Sequence, residues 1–413
     1  MKDRILLCKP KMSGRELDFI RPALAQDWAV PMGPDVNAFE KELAAVICAE
    51  NVVALESGTS AIHLALILCG VKPGDEVIVQ TMTFCASTNP IAYLGAIPVF
   101  VDSEKESWNM DPELLEETII VRISETGKKP KAIIPVALYG MPYQIERIIE
   151  IANRYDIPVI EDAAEGFCSR YKRKVLGTFG RFGILSFNGN KMITTSGGGA
   201  LICPDKETAD KAKWYATQAR EGYPYYQHEV VGYNYRLSNI SACIGRAQLT
   251  VLEEYLAHHR HVQELYCELL KDVKGITMHT NPTPEYDSNF WLCTATLDPD
   301  LRIKGQENAY KTIITGAVGG AAGVIHAASS ATTDCQPNDN VEALRVCLDK
   351  ANIEARPLWK PMHKQPVYKD APAYVNGVSE ALFATGICLP AGPYVTDDDV
   401  LYIVDSIKAS IIE

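Results

Sequence analysis

The sequence predicts an α/β protein with a mostly parallel sheet in a large N-terminal domain and a smaller α+β domain at the C-terminus. Between residues 52 and 203, short apolar β-branched runs alternate with longer segments of helical period, which is typical of repeated βα units. Candidate polar residues directly follow several of these runs. Residues 256–413 have their own strand and helix patterns and end in an amphipathic segment, 397–411.

The strands predicted for the large domain, residues 1–255, are short and apolar. They cover residues 52–55, 76–79, 97–101, 132–138, 158–160, 184–187 and 200–203. Helices are predicted between them at 61–68 and at 144–155, where isoleucines share one face, and a long helix is predicted over 239–271. Since ligands collect beyond the carboxyl ends of parallel strands, we expect the residues that follow these strands to converge.

Composition and charge exclude several classes of protein. The 413 residues allow two or three domains, and 40 basic against 52 acidic residues give a net charge of -12 with no basic block, which argues against nucleic-acid binding. The N-terminus has only a short apolar run before Cys8, so neither a signal peptide nor a membrane span is expected. The twelve cysteines show no CxxC spacing, which indicates free thiols and no metal site. We therefore expect a cytoplasmic protein.

A glycine- and alanine-rich insertion interrupts the small domain near residues 313–331. Its four glycines disfavour a helix by about 1 kcal/mol each. A packed or mobile insertion is favoured over a membrane or partner contact because serines and His326 interrupt its apolar character. We assign no function to it.

Lys191 and Asp162 are the strongest candidates for chemistry. Lys191 ends the run SFNGNK after a predicted strand and precedes a glycine triplet, and Asp162 follows the apolar strand that ends at Ile160. A lysine that can form a Schiff base and a carboxylate that can pair with a pyridinium nitrogen are what pyridoxal 5'-phosphate (PLP) requires of a protein. The alternatives are a surface lysine and a helix-capping acid.

The run SGTSA, which joins a predicted strand to a helix, is a candidate phosphate site. Backbone N–H groups of Thr59 and Ser60 at a helix N-terminus, next to Gly58, can bind an anion, and Ser186 can supply a further hydroxyl. An ordinary N-cap is the alternative. Phe84 can stack on a cofactor ring, or it can be a core residue.

Five ordered motifs resemble the DegT/StrS family of PLP-dependent nucleotide-sugar aminotransferases. They are VALESGTSAIHLAL, TMTFCASTNP, IPVIEDAAEGF, LSFNGNKMITTSGGG and GYNYRLSNISACIGRAQL, and RPLWKPMH follows at 356–363. The form of the lysine motif is most similar to the members that aminate UDP-4-keto-6-deoxy-N-acetylglucosamine at C4, the bacillosamine-type branch. The resemblance implies a fold type I PLP-dependent transferase that works as a homodimer.

The resemblance also implies roles for individual residues. Lys191 would be the Schiff-base lysine and general base, Asp162 the pyridinium partner and Phe84 the stacking residue. The other cofactor contacts would be Gly58, Thr59, Ser60, Ser186, Asn188 and, from the neighbouring subunit, Asn234. Arg236, Lys360 and His363 would lie near the nucleotide diphosphate, or they are ordinary surface cations.

Glu165 departs from the family pattern, in which Gln or His commonly faces the phenolic oxygen of PLP. A carboxylate at Glu165 would repel a phenolate unless it is protonated or turned away.

The resemblance implies that an amino group moves from L-glutamate to the 4-keto carbon of a UDP-linked 4-keto-6-deoxy-N-acetylhexosamine, for glycan or surface-polysaccharide synthesis. The alternatives are a 3- or 4-aminotransferase for GDP- or dTDP-keto sugars, of the perosamine type, and a PLP-binding regulator without turnover.

Overall fold

A computed structural model describes residues 3–310 and 335–412. It confirms the α/β class, and the glycine-rich insertion predicted near 313–331 lies outside the described residues. The strands of the described part are β1 (Asn51–Leu55), β2 (Glu76–Gln80), β3 (Ile97–Val101), β4 (Ile133–Ile134), β5 (Ile160–Asp162), β6 (Arg170–Tyr171), β7 (Lys174–Val175), β8 (Phe182–Ser186), β9 (Gly199–Cys203), β10 (Ile276–Met278), β11 (Tyr286–Asp287), β12 (Cys293–Leu297), β13 (Arg356–Pro357), β14 (Ala373–Tyr374) and β15 (Gly386–Leu389).

Helices connect many of the strands. They are α1 (Glu16–Ala25), α2 (Pro34–Ile47), α3 (Gly58–Leu68), α4 (Asn89–Tyr93), α5 (Pro112–Thr126), α6 (Ile145–Arg154), α7 (Lys206–Ala216), α8 (Asn239–Leu249), α9 (Leu252–Leu270), α10 (Asp339–Lys350), α11 (Val378–Thr385) and α12 (Asp397–Ser410).

Two groups of strands form the large sheet. Their orders are β1-β9-β8-β5 and β4-β2-β3-β14, and parallel bridges from Ile133 to Val159 and from Val136 to Asp162 join β4 to β5. The sheet is mostly parallel, but β9 is antiparallel to both β1 and β8. The carboxyl ends of β5 and β8 therefore lie side by side, and the amino end of β9 lies beside them.

The large sheet has apolar residues packed on both of its faces. One core cluster includes Ile78, Val99 and Leu185, and a second includes Val79, Phe100 and Ile184. Neighbouring residues of one strand thus belong to opposite clusters, as the alternation of side chains along a strand requires. Because both faces of the sheet are buried, the sequences of its strands are continuous apolar runs.

A second, antiparallel sheet has the order β10-β12-β15-β13 and packs with α9, α10 and α12 around its own core. The expected domain boundary at 255/256 falls inside α9, and β14 from the C-terminal part pairs with β3 of the large sheet. The division into 1–255 and 256–413 stays a prediction.

Two predicted elements differ from those observed. The strand expected over 132–138 is only β4, because Pro135 has no N–H for a strand ladder and residues 138–140 form a 3-10 turn. The helix expected over 239–271 is broken into α8 and α9 at the β-branched pair Thr250 and Val251. The break lets α8 pack on α1 and α2 while α9 packs on α12.

No helix within residues 3–310 and 335–412 is long and apolar enough to cross a membrane. The twelve cysteines are all free thiols. Among the same described residues, no cluster of histidine, cysteine and acidic side chains could hold a metal ion.

Candidate active site

A cavity of about 330 Å³ opens where β1 leads into α3 and where β5 and β8 end. This is the position at which parallel sheets collect ligands. The lining comprises residues from several segments that are distant in sequence: Glu56, Ser57, Gly58, Thr59, Ile62, Thr83, Phe84, Ala86, Ser87, Val136, Asp162, Ala164, Glu165, Ser186, Asn188, Asn190, Lys191, Gly197, Gly198, Trp291 and Trp359.

The structure brings eight of the predicted site residues together around this one cavity. They are Gly58, Thr59, Phe84, Asp162, Glu165, Ser186, Asn188 and Lys191. Their shared location follows from the topology, because each lies on or just after a strand that ends at this edge of the sheet.

Lys191 sits at the end of a short turn in which its N–H donates to the carbonyl of Asn188 at 3.0 Å. Its Nζ lies 3.5 Å from Oε1 of Glu165 and 3.9 Å from the centre of the Trp291 ring, so the amine is held between a carboxylate and an aromatic face. The indole N–H of Trp291 donates to the carbonyl of Asn190 at 2.6 Å, which fixes that ring. The Lys191 side chain is 12% exposed.

Asp162 is buried at the end of β5, and both of its oxygens accept hydrogen bonds. Oδ2 accepts from the Ser87 hydroxyl at 2.5 Å, and Oδ1 accepts from the N–H of Ala164 at 3.1 Å. Burial raises the pKa of Asp162, and these two bonds together with the charge of Lys191 oppose that rise. Thr83 lies 2.7 Å from the Ser87 hydroxyl and orients it.

Glu165 is the second buried carboxyl group of the cavity. Its Oε2 accepts from the N–H of Tyr139 at 2.7 Å, while Oε1 faces Lys191. Burial raises the pKa of Glu165, and the positive charge of Lys191 partly offsets this rise. Tyr139 presents its N–H from a left-handed conformation with φ 54°.

The N-terminus of α3 forms the opposite end of the cavity. Ser57 caps the helix by accepting from the N–H of Ser60 at 3.0 Å, and the Ser60 hydroxyl is bonded to Ser57 and Glu56. Ser60 does not line the cavity, whereas Gly58 and Thr59 do. The N–H groups of Gly58 and Thr59 at the start of α3 are suited to bind an anion.

A second cavity of about 310 Å³ adjoins the first across Thr83, Phe84 and Trp359, which line both. Phe84 is half exposed, and its ring lies 5.4 Å from that of Trp359. Lys360 lines the second cavity, so its cation lies beside the site.

Four predicted residues lie outside both cavities in this chain: Ser60, described above, and Arg236, His363 and Asn234. Arg236 forms a buried ion pair with Glu40 at 2.5 Å and donates to the carbonyl of Ala54 at 2.8 Å. His363 contacts Thr81 at 2.7 Å and Glu380 at 3.3 Å. Asn234 lies in a segment that bridges to Thr217. The predicted substrate contacts of Arg236 and His363 stay predictions, and each would require the side chain to leave its present partners.

The sequence analysis missed several residues of the site, and four of these contact predicted site residues: Ser87, Tyr139, Trp291 and Trp359. Ser87 and Trp359 lie inside the motifs TMTFCAST and RPLWKPMH, so their positions next to predicted site residues could have indicated them. Tyr139 and Trp291 come from a turn and from the C-terminal part, and no local pattern points to them.

The site fits PLP. The cavity is lined by the Lys191 amine, by the Asp162 carboxylate, which is 5% exposed, and by the N-terminus of α3. Its volume is at the lower end of the range of about 300–1,000 Å³ for ligand sites. Lys191 would bond to the cofactor, Asp162 would accept from its pyridinium N–H, and Gly58 and Thr59 would hold its phosphate. When bound, PLP supplies an electron sink for the charge that develops on the substrate carbon.

Comparisons with known proteins identify the family of the chain. Residues 10–304 and 306–408 match the DegT/DnrJ/EryC1/StrS aminotransferase family. The Bacillus subtilis (strain 168) protein EpsN, whose name assigns it to the pyridoxal phosphate-dependent aminotransferases, is 43% identical over 406 residues, covering 97% of this chain and 94% of EpsN. GDP-perosamine synthase of Escherichia coli O157:H7 is 33% identical over 400 residues, covering 97% of this chain and 96% of the synthase.

A solved structure of a DegT DnrJ EryC1 StrS aminotransferase from Brucella abortus has a TM-score of 0.81 at 28% identity, and the match covers 96% of this chain and 95% of that one. The fold is therefore that of the fold type I PLP-dependent transferases, as expected. The chain belongs to the DegT/DnrJ/EryC1/StrS aminotransferase family and is a PLP-dependent aminotransferase.

Proposed function

We propose that this aminotransferase moves an amino group from L-glutamate to the 4-keto carbon of a UDP-linked 4-keto-6-deoxy-N-acetylhexosamine, for the synthesis of a glycan or surface polysaccharide. The observation that carries the proposal is the pair of adjoining cavities. The inner one holds Lys191 and Asp162, and the outer one offers aromatic faces and the cation of Lys360.

Lys191 is the group that would move protons at the substrate carbon. Its Nζ lies in the inner cavity, and a lysine amine can act in turn as base and acid once it is released from the cofactor. Asp162 would hold the pyridinium N–H through its carboxylate. The Trp291 face and the low exposure of the Lys191 side chain limit access of water to its amine.

The outer cavity would hold the nucleotide end of the substrate. Phe84 and Trp359 supply ring surfaces at its border with the inner cavity, and Lys360 can neutralise a phosphate. A sugar that reaches from this cavity past Phe84 would bring its keto carbon toward Lys191.

A second candidate substrate is a GDP-linked 4-keto-6-deoxy sugar. The observation that favours it is the 33% identity to the Escherichia coli GDP-perosamine synthase along almost the whole chain. Both candidates require the same cofactor residues and differ in the base and in the substituent at C2 of the sugar.

A spectroscopic titration separates these possibilities. The absorbance of the PLP-loaded protein is recorded before and after L-glutamate, and then after UDP-, GDP- and dTDP-linked 4-keto-6-deoxy sugars in separate samples. Glutamate is expected to bleach the visible band, and the UDP sugar is expected to restore it. Restoration by the GDP sugar alone would favour the second candidate, and restoration by no keto sugar would reject a nucleotide-sugar substrate. Lys191→Ala is the control, in which glutamate should not bleach the visible band.

The homodimer and the cytoplasmic location are part of the same proposal. Exposed aromatic residues Tyr223, Tyr225 and Tyr226 lie shortly before Asn234, and a partner subunit would cover them. The twelve free cysteines agree with a reducing compartment.

A further inference from the structure

Glu165 and Lys191 form an acid–base pair inside the inner cavity. We propose that Glu165 takes up the proton that the Lys191 ammonium must lose before its nitrogen can bond to the aldehyde carbon of the cofactor. In this step an N–H bond of Nζ breaks and an O–H bond forms on Oε1. An ammonium and a carboxylate become a neutral amine and a neutral acid, so no outside acid or base is consumed. This role does not depend on which sugar is the substrate.

The geometry leaves one oxygen of Glu165 available for the proton. Oε2 is held by the N–H of Tyr139 at 2.7 Å, and Oε1 faces Nζ of Lys191 at 3.5 Å. Closing that gap needs only a small movement of the lysine side chain, because charged N–H···O bonds are about 2.7–2.9 Å long. Tyr139 thus fixes the carboxyl group while leaving Oε1 directed at the amine.

Asp162 is less suited to this role. Both of its oxygens already accept hydrogen bonds, from Ser87 and from the N–H of Ala164. These donors stabilise the ionised form, which is the form needed to hold a pyridinium N–H. The two carboxyl groups of the cavity are therefore divided between two tasks by their different hydrogen-bond partners.

The charges of the site favour a neutral Glu165. The titratable groups that face Glu165 are the Lys191 amine, the Asp162 carboxylate, the Tyr139 phenol and the Cys388 thiol. Before the transfer the site holds two carboxylates and one ammonium, and after it only one carboxylate. The net charge is the same in both states, but fewer charges are buried away from water, which lowers the cost of desolvation. After proton transfer, Asp162 is the one charged member of these four groups and Lys191 is ready to react.

The test uses Glu165→Gln, which keeps the shape of the side chain but cannot accept the proton. The full chain is stripped of cofactor, checked for folding by circular dichroism and mixed with PLP, and the visible band is followed by stopped flow from pH 6 to 9. The variant is expected to attach PLP about 10²-fold more slowly at neutral pH, and its rate should rise with pH because bulk hydroxide must replace Glu165. Glu165→Asp should recover part of the rate.

Affinity for pyridoxamine 5'-phosphate separates proton transfer from simple binding. This compound has no aldehyde, so its dissociation constant, measured by calorimetry, is expected to change far less between wild type and Glu165→Gln than the rate of PLP attachment does. Attachment of PLP at the wild-type rate and with the wild-type pH profile would overturn the proposal. An equal loss of pyridoxamine phosphate affinity would also overturn it. If the Gln variant does not fold, the same two measurements on Glu165→Asp decide: a slower attachment at unchanged affinity supports the proposal, and an unchanged rate rejects it.

Discussion

At the scale of single residues, Ser87 controls how Asp162 can function. A carboxylate that pairs with a pyridinium must stay ionised, yet its burial raises the pKa of Asp162. The Ser87 hydroxyl donates to Oδ2 at 2.5 Å and is itself oriented by Thr83. The Ser87 hydroxyl, which was not among the expected cofactor ligands, therefore opposes the rise in the pKa of Asp162 that burial causes.

Replacing Ser87 tests this assignment. Ser87→Ala removes a donor to the ionised form, so the pKa of Asp162 should rise further and the acid limb of the pH profile should move to higher pH. The measurement is kcat/KM for L-glutamate as a function of pH. Ser406→Ala, which removes a hydroxyl bonded to a helix carbonyl in α12, is the matched control and should leave the profile unchanged. An unshifted acid limb in Ser87→Ala would mean that Ser87 does not tune Asp162.

At the scale of elements, the start of α3 is positioned by a close contact with β9. A Cβ on Gly199 would lie 2.4 Å from the backbone nitrogen of Gly58 and from the carbonyl carbon of Ser57. Only a residue without a side chain lets β9 pass this close to the turn that would bind the phosphate. The last glycine of the triplet after Lys191 thus has a packing role.

Gly199→Ala is expected to push the Ser57–Gly58 turn away from β9. Overpacking of this kind costs about 1–3 kcal/mol, and PLP should also be lost more readily because the helix start moves. Denaturant unfolding and retention of PLP during dialysis measure the two effects. Gly222→Ala, where an added Cβ meets no atom within 4 Å, should leave the free energy of unfolding unchanged. Wild-type values in Gly199→Ala would show that the turn can relax freely.

A buried ion pair joins α2 to the segment that carries Asn234. Glu40 in α2 contacts Arg236 at 2.5 Å and Lys213 of α7 at 2.8 Å, and it accepts from the N–H of Ala54 in β1. Arg236 thus makes structural contacts in this chain, although the family resemblance implies that it contacts the substrate.

Arg236→Ala distinguishes a structural role from substrate binding. Because it leaves Glu40 buried with one partner fewer, unfolding should become easier by roughly 3–5 kcal/mol. Urea denaturation gives this value. Arg147→Ala, which breaks an exposed pair with Glu113, is the control and should change stability little. A raised KM for the keto sugar with unchanged stability would instead assign Arg236 to the substrate.

At the scale of the whole molecule, the described chain supplies Lys191 and Asp162 but holds Asn234 outside the cavity. A site completed by the Asn234 of a partner subunit is the arrangement that the family resemblance implies. Such an arrangement makes each active site depend on two chains.

Mixing two inactive variants tests the shared site. Lys191→Ala and Asn234→Ala are each expected to be inactive or weak, whereas equal mixing and re-equilibration should form heterodimers in which one of two sites has both groups. The expected activity is roughly a quarter of wild type, because half of the dimers are mixed. Activity that stays at the sum of the separate variants would indicate self-contained subunits.

Much of the site could be predicted from the sequence because its key residues lie next to strands with strong local patterns. Lys191, Asp162 and Gly58 each adjoin an apolar run whose end defines their place. Trp291 and Tyr139 could not be predicted in this way, since they reach Lys191 and Glu165 from segments that the fold alone brings near.

The sequence by itself determined the α/β class, the edge of the sheet at which the site forms and the need for a cofactor with an aldehyde and a phosphate. These follow from periodicity and from residue chemistry, which are local properties. Only the tertiary structure decided that Ser87 bonds Asp162, that Oε1 of Glu165 faces Lys191 and that Arg236 is paired with Glu40. Contacts between residues distant in sequence depend on how the elements pack, and no local pattern encodes that packing.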